Sequence, residues 1–176
     1  MYSEKFKNLV LYILENSHYK EEGIKKLNKL LYFVDFYFYR DNEKFISEDV
    51  QYAKAGMGPI VNNYREIFSE MVQDNVLQLV DTMPRIVYKN IQPADISDFS
   101  SEEIDHVCKV LEKYGKLSSS DLESISHQQQ PWVLTENMGE IIDPDLALLI
   151  AKESDNEIEV DNEELKKKLI DLANQS

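Results

Sequence analysis

The sequence has little of what disulfides, metal centres and membrane spans require. Its single cysteine, Cys108, excludes an intramolecular disulfide and any metal site built of cysteines alone. The three histidines, His18, His106 and His127, lie too far apart for the H-x₃₋₅-H spacing of zinc sites. The densest apolar run, residues 30–39, is interrupted by Asp35 and falls short of the roughly 20 residues that cross a bilayer. Because the first residues also lack the apolar block of a signal peptide, we expect a cytoplasmic protein without metal or membrane partners.

Basic residues are scarce as well. The 176 residues include 19 lysines and arginines against 33 aspartates and glutamates, which gives a net charge of −14. Phosphate backbones and anionic membranes repel such a chain, so direct binding of nucleic acid is not expected. The acidic excess lies in residues 41–176, with a net charge of −16, whereas residues 1–40 carry +2. This acidity is either the solvated face of later helices or a docking surface for a basic protein.

Glycine and proline total only ten residues, and most apolar residues recur at helical spacing, which together favour helices. Residues 3–16 form one amphipathic pattern. Residues 22–39 carry two adjacent apolar stripes, which is typical of a helix buried at the centre of a domain. Capping residues or helix-starting prolines mark five further helical segments, which begin near Pro59, Ser100, Ser118, Pro131 and Asp143.

The remaining apolar residues indicate short strands. Residues 45–46 and 50–52 are strand candidates, and residues 76–80 and 86–88 predict a hairpin whose turn contains Pro84. We therefore expect an α+β fold over residues 1–152, a compact and mainly helical domain with a small antiparallel hairpin or sheet element.

The C-terminal part differs in composition. Residues 153–161 hold five acidic side chains and few apolar ones, which predicts a linker. A last helix follows, so we expect residues 153–176 to pack on the domain or extend it.

No motif for catalysis or cofactor binding is present. Ser126 and His127 are adjacent in sequence, but no G-x-S-x-G turn presents a nucleophile. The turn at residues 56–59 is too short to cradle a phosphate, and Pro59 lacks the N–H that such a loop would use. Cys108 falls in register with the apolar residues of its helix, so we interpret it as a core residue and not as a reactive thiol. No catalytic, cofactor-binding or metal-binding residue is assigned.

Three segments resemble, in order, the motifs of one protein family. Residues 26–33 (KLNKLLYF) are similar to its K-L-x-K-L-L-Y-[FY] helix. Residues 53–64 fit its A-x-x-[YHA]-G-P-[VI]-[VI]-x-x-[VI]-Y segment, with Gly-Met-Gly at 56–58 as a departure. Residues 114–122 fit Y-G-x-L-S-[AS]-x-[DE]-L, followed by Ser-His and Pro-Trp, with three glutamines where an acidic residue is more usual. The family is the Panacea domain, also called the SocA-like or GepA-like antitoxin domain.

The resemblance implies an antitoxin of a toxin–antitoxin system. Members are typically encoded beside a toxin gene and neutralise the toxin protein, mostly by direct binding. The toxins are diverse, and some block translation. The signature positions Lys54, Tyr64, His127 and Trp132 are then candidate toxin-binding residues. Each also has a structural interpretation, such as a histidine bonded to backbone or a tryptophan packed as a core wedge.

Two alternatives remain open. One relative is an adaptor that delivers its toxin to an AAA+ protease, so this chain could contact a protease as well. An acidic phage or prophage protein could instead block a host enzyme that acts on nucleic acid. All three hypotheses are binding functions, so no enzyme activity is expected.

Overall fold

The structure, a computed structural model, describes residues 1–17, 23–82 and 85–152. The helices of this part are α1 (Glu4–Asn16), α2 (Gly23–Asn42), α3 (Tyr64–Gln73), α4 (Ser101–Tyr114), α5 (Ser119–His127) and α6 (Gln130–Leu134), followed by a 3₁₀ helix (Pro144–Leu149). The strands are β1 (Tyr52–Ala53), β2 (Ile60–Val61), β3 (Leu77–Thr82) and β4 (Arg85–Asn90). This confirms the mainly helical α+β fold. His18, Pro84 and the predicted segment 153–176 lie outside the described residues.

Helix α2 is the centre of the domain, as its two apolar stripes predict. Both stripes are buried, with Leu27, Leu30 and Phe33 fully inaccessible to solvent. Helices α1, α4 and α5, strand β4 and the 3₁₀ helix all pack against α2. Water is excluded from most of α2, so a polar side chain in its buried part is costly unless it has a partner inside the protein.

Strand β1 overlaps the strand candidate at residues 50–52, whereas β2 lies where the sequence predicted a helix. β1 pairs antiparallel with β2, with Tyr52 opposite Val61 and Ala53 opposite Ile60. The strand predicted at residues 45–46 is wrong, because these residues lie in a turn region. The helix predicted after this turn is present, but its predicted start at Pro59 is wrong, because α3 begins only at Tyr64.

The reason for the second error is tertiary. Asn28 Oδ1 of α2 accepts a hydrogen bond from the N–H of Val61 at 2.8 Å, and Lys29 Nζ donates to the carbonyl of Pro59 at 2.7 Å. These bonds hold the chain extended beside α2. Asn63, with a φ of 56°, then turns the chain into α3.

The predicted hairpin is confirmed. β3 pairs with β4 from Leu77 opposite Asn90 to Thr82 opposite Arg85. Its buried side chains include Val87 and Tyr88, and the Tyr88 ring stacks on Phe68 of α3 with ring centroids 5.3 Å apart. The hairpin is therefore attached to the helical core at its base.

The capping boxes of α4 and α5 are present, but the interpretation of Cys108 is wrong. Ser100 pairs with Glu103, and Ser118 pairs with Asp121, in the reciprocal arrangement expected. The buried face of α4 consists of Glu103, Val107, Val110, Leu111 and Tyr114. Cys108 borders this face and is exposed, with its Sγ 3.3 Å from the hydroxyl of Tyr12.

None of the described helices combines the length and the apolarity needed to cross a bilayer.

Candidate functional site

Three of the four predicted site residues meet in one cluster. Lys54 follows β1, His127 is the last residue of α5, and Trp132 lies in α6. The rings of His127 and Trp132 stack with centroids 4.1 Å apart. Lys54 Nζ lies 4.3 Å from the centroid of the Trp132 ring, within cation–π distance. We call these three residues the tryptophan cluster.

The tryptophan cluster joins the short helix α6 to the segment after β1. Trp132 Nε1 donates to the carbonyl of Ala55 at 3.1 Å, and Lys54 Nζ donates to the carbonyl of Thr135 at 2.5 Å. A five-residue helix is too short to be stable alone, because ordering the first turn loses more conformational entropy than its hydrogen bonds compensate. The cluster therefore has a structural role in fixing α6, and it leaves Lys54 buried.

The surroundings of His127 favour the neutral form of its ring. Burial lowers the pKa of His127, and the nearby cations Lys29 and Lys25 lower it further, while Glu123 opposes them. Its Nε2 is buried without a hydrogen-bond partner. The backbone bond that the sequence suggested for this histidine is thus not made at Nε2, and stacking on Trp132 takes its place.

Tyr64 does not join the cluster. It is the first residue of α3, its ring is half-buried against the core, and its hydroxyl accepts a hydrogen bond from Arg65 Nε at 3.2 Å. Among the described residues, the contacts of Tyr64 do not involve Lys54, His127 or Trp132.

Beneath the cluster lies a buried lysine that sequence reasoning treated only as part of a motif. Burial lowers the pKa of Lys29 to about 7, with Glu123 partly opposing the shift. A Cβ built on Gly58 would lie 2.5 Å from Ser126 Oγ and 2.9 Å from Lys29 Nζ, so only glycine fits there.

The nucleophile–base arrangement suggested by Ser126 and His127 is not formed. Ser126 Oγ instead donates to the carbonyl of Glu123 at 2.9 Å, and the side chain is fully buried. A buried serine beside a lysine of lowered pKa is a pairing that catalytic sites also use. Here, however, both side chains are sealed from solvent, so a substrate has no access to them. In the described part of the chain, no group of three metal-ligating side chains is placed to hold an ion.

Exposed apolar side chains surround the tryptophan cluster. We define the apolar face as the seven large hydrophobic residues that α6 and its neighbouring segments expose. They are Met57, Val133, Leu134, Met138, Ile141, Leu148 and Leu149.

The segments of the apolar face are in contact. Trp132 reaches Ala55 in the loop that carries Met57, Ile141 pairs with Ala53 of β1, and α6 packs on the 3₁₀ helix. The sequence did not identify this face, because apolar residues in such short elements look like core residues.

A second surface has the opposite character. A cleft of about 410 Å³ lies between α2 and α4 and is lined by Arg40, Lys109, Lys113 and Lys152 together with Tyr37 and Tyr114. Arg40 already donates to the carbonyl of Ala151 and to Asp41, and Lys152 is paired with the same aspartate at 2.9 Å. Part of the positive charge of this cleft is therefore neutralised by Asp41.

Comparison with known proteins gives one family. A family model described as antitoxin SocA-like, Panacea domain, matches residues 27–133. The match includes all four predicted site residues and ends beside Trp132. Neither the curated proteins nor the solved structures that were searched gave a significant match.

Proposed function

The chain belongs to the SocA-like antitoxin family, whose members carry the Panacea domain, and on that premise we propose that it neutralises a cognate protein toxin by direct binding. Such a function requires an exposed surface complementary to the toxin, and it requires no catalytic group.

The apolar face is the observation that supports binding most directly. Soluble proteins rarely expose several large hydrophobic side chains together unless the surface has a partner. Tryptophan is enriched at the centre of interfaces, and Trp132 lies in the helix on which Val133 and Leu134 are exposed. Bound there, the antitoxin would cover part of the toxin and block it sterically.

The acidity of the chain fits a toxin with a basic surface. For a toxin that acts on tRNA or ribosomes, the same basic surface would contact the phosphate backbone. An acidic antitoxin would then compete directly for the toxin's working surface and associate quickly with it.

Co-expression with the adjacent gene tests the proposal. We expect the adjacent gene to be toxic alone, and we expect this chain to restore growth and to co-purify with the toxin. Growth restored without a complex, and only when an AAA+ protease is present, would replace direct neutralisation by proteolytic delivery. Failure to restore growth would overturn the antitoxin function itself.

A further inference from the structure

We propose that the toxin docks on the apolar face, and that it presents apolar side chains bordered by lysine or arginine. This inference rests on the proposed function and adds the location of the interface and the chemistry of the partner surface.

The first argument is the concentration of exposed apolar residues. Twelve large hydrophobic residues are exposed in the part of the chain that the structure describes, and seven of them belong to the apolar face. The remaining five are spread over the N-terminus, the hairpin and the segment that follows it. More than half of these exposed residues therefore lie on the apolar face, which makes it the strongest candidate for burial by another protein.

The second argument is that the face is already rigid. Lys54 N–H donates to the carbonyl of Glu140 at 2.9 Å, and Gly139 N–H donates to the carbonyl of Lys54 at 2.8 Å. Together with the tryptophan cluster, these bonds fix the loop after α6 against β1. A preorganised surface loses little conformational entropy on binding, which favours affinity.

The third argument is charge. Residues 117–151, which carry α5, α6 and the 3₁₀ helix, contain six acidic residues and no lysine or arginine. Glu136, Glu140, Asp143 and Asp145 are exposed at the border of the face. In the described part of the chain, none of these four carboxylates is paired with a lysine or arginine. Lys54 of the tryptophan cluster is buried and bonded to the carbonyl of Thr135. Within the residues that the structure describes, Glu140, Asp143 and Asp145 accept hydrogen bonds only from neutral groups, so a partner with a basic border could pair with them and would be attracted from a distance.

The hairpin is the competing surface. It exposes Leu79 and Ile86, which lie diagonally across β3 and β4. Arg85 and Lys89 are exposed on β4, so the hairpin does not offer a uniformly acidic border. A basic partner is therefore expected on the apolar face and not on the hairpin.

Two double variants of matched exposure test the location. Val133 and Leu148 are 49% and 51% exposed, and Leu79 and Ile86 are 49% and 52% exposed. We expect Val133→Gln/Leu148→Gln to weaken binding of the purified toxin about 100-fold, because both substitutions place a polar amide where the interface buries an apolar side chain. Leu79→Gln/Ile86→Gln should keep wild-type affinity. Unchanged thermal melting of both variants would show that the full-length chain remains folded.

The charge of the partner is tested by association kinetics. Glu136→Lys should slow association with the toxin about fivefold and reduce its dependence on salt, because one carboxylate at the border is replaced by a cation. Glu112→Lys makes the same charge change on the exposed side of α4 and should leave the rate within about twofold of wild type. Equal slowing by both variants would show an effect of net charge only and would overturn the basic border.

The outcomes separate this inference from the proposed function. If the wild-type chain binds the toxin and Val133→Gln/Leu148→Gln binds equally well, the location is wrong and the antitoxin function stands. Loss of binding in the hairpin variant alone would move the interface to β3 and β4. Absence of any wild-type complex would overturn both proposals.

Discussion

Helix α2 buries one aspartate, Asp35, and two lysines, and the surroundings of Asp35 differ from those of Lys29. Asp35 accepts hydrogen bonds from the Ser47 N–H at 3.0 Å, the Ser47 hydroxyl at 2.5 Å and the Tyr52 hydroxyl at 2.6 Å. Lys29 Nζ donates one hydrogen bond, to the carbonyl of Pro59. Both side chains connect α2 to the chain around β1 and β2, but Asp35 does so with three hydrogen bonds and Lys29 with one.

The comparison shows that the stabilising effect of a buried charged side chain depends on how many hydrogen bonds it makes. Burial raises the pKa of Asp35 to about 6 although its hydrogen bonds oppose the shift, and burial lowers the pKa of Lys29 to about 7. Removing Asp35 leaves three donors without an acceptor, whereas removing Lys29 leaves one carbonyl unpaired. We therefore expect Asp35 to determine stability, and we expect Lys29 to determine mainly the pH dependence.

The largest effect is expected for Asp35→Ala, which should lower the free energy of unfolding by about 4 kcal/mol, because it leaves buried donors unsatisfied. Urea denaturation monitored by circular dichroism measures this change. Asp49→Ala, at an exposed position nearby, should change stability by less than about 0.5 kcal/mol. Equal losses in the two variants would show that the hydrogen bonds from Ser47 and Tyr52 to Asp35 do not stabilise the fold.

The second-largest effect is expected for Gly58→Ala, close to Lys29, which should lower the free energy of unfolding by about 2 kcal/mol. Gly58 has a φ of +92°, and an added Cβ would meet Ser126 and Lys29. Gly139 has a φ of +84° with open space around it, so Gly139→Ala isolates the backbone strain. Gly56→Ala, with neither constraint, should be neutral. Equal denaturation midpoints for Gly56→Ala and Gly58→Ala would contradict the close packing of Gly58 against Ser126 and Lys29.

Asp35 and Lys29 should change the free energy of unfolding in different pH ranges. In its own range, each should contribute a slope of up to about 1.4 kcal/mol per pH unit. The pKa of Asp35 rises on folding from 3.8 to about 6, so its contribution is full below about pH 4 and is lost as the pH rises through 6. The pKa of Lys29 falls on folding from 10.5 to about 7, so its contribution is full above about pH 10 and is lost as the pH falls towards 7.

Two variants show which residue is responsible for each slope. Subtracting the stability of Asp35→Asn from that of the wild type should leave a curve that falls between pH 4 and 6. The same subtraction for Lys29→Met should leave a curve that rises between pH 7 and 10. A flat difference curve for either variant would show that the corresponding group does not change its pKa on folding.

The smallest effect is expected for Lys29→Met near pH 9, within about 1 kcal/mol of wild type. Methionine fills a similar volume, and at this pH Lys29 is largely neutral, so the variant loses one hydrogen bond and no charge. Thermal denaturation at pH 9 measures the difference. A loss comparable to that of Asp35→Ala would mean that Lys29 has a role beyond the Pro59 bond.

The sequence predicted the elements whose signals are local. The two stripes of α2, the capping boxes at Ser100 and Ser118, and the hairpin all depend on residues close together in the chain. Pro59 was misplaced because distant bonds from Asn28 and Lys29 determine its conformation. Cys108 was misplaced because each residue turns a helix by 100°, so a residue at the edge of a stripe fits either face.

The candidate site was predicted in part for the same reason. The family motif brought attention to Lys54, His127 and Trp132, which the fold brings together. It did not indicate the exposed side chains beside them, because α6 and the 3₁₀ helix are too short for periodicity to separate an inner from an outer face. The sequence signal for this surface is the absence of lysine and arginine from residues 117–151, a feature that the net charge of residues 41–176 does not reveal.

Trp132 is the only tryptophan in the sequence, and its indole is half-buried between His127 and Lys54 at the edge of the apolar face. The intrinsic fluorescence of the chain on selective tryptophan excitation therefore comes from one place. A molecule that settles on the apolar face would change the polarity around this indole and shift its emission, whereas one that settles on the hairpin would leave the spectrum unchanged. The protein thus carries its own optical reporter of occupancy, which needs no label and no substitution.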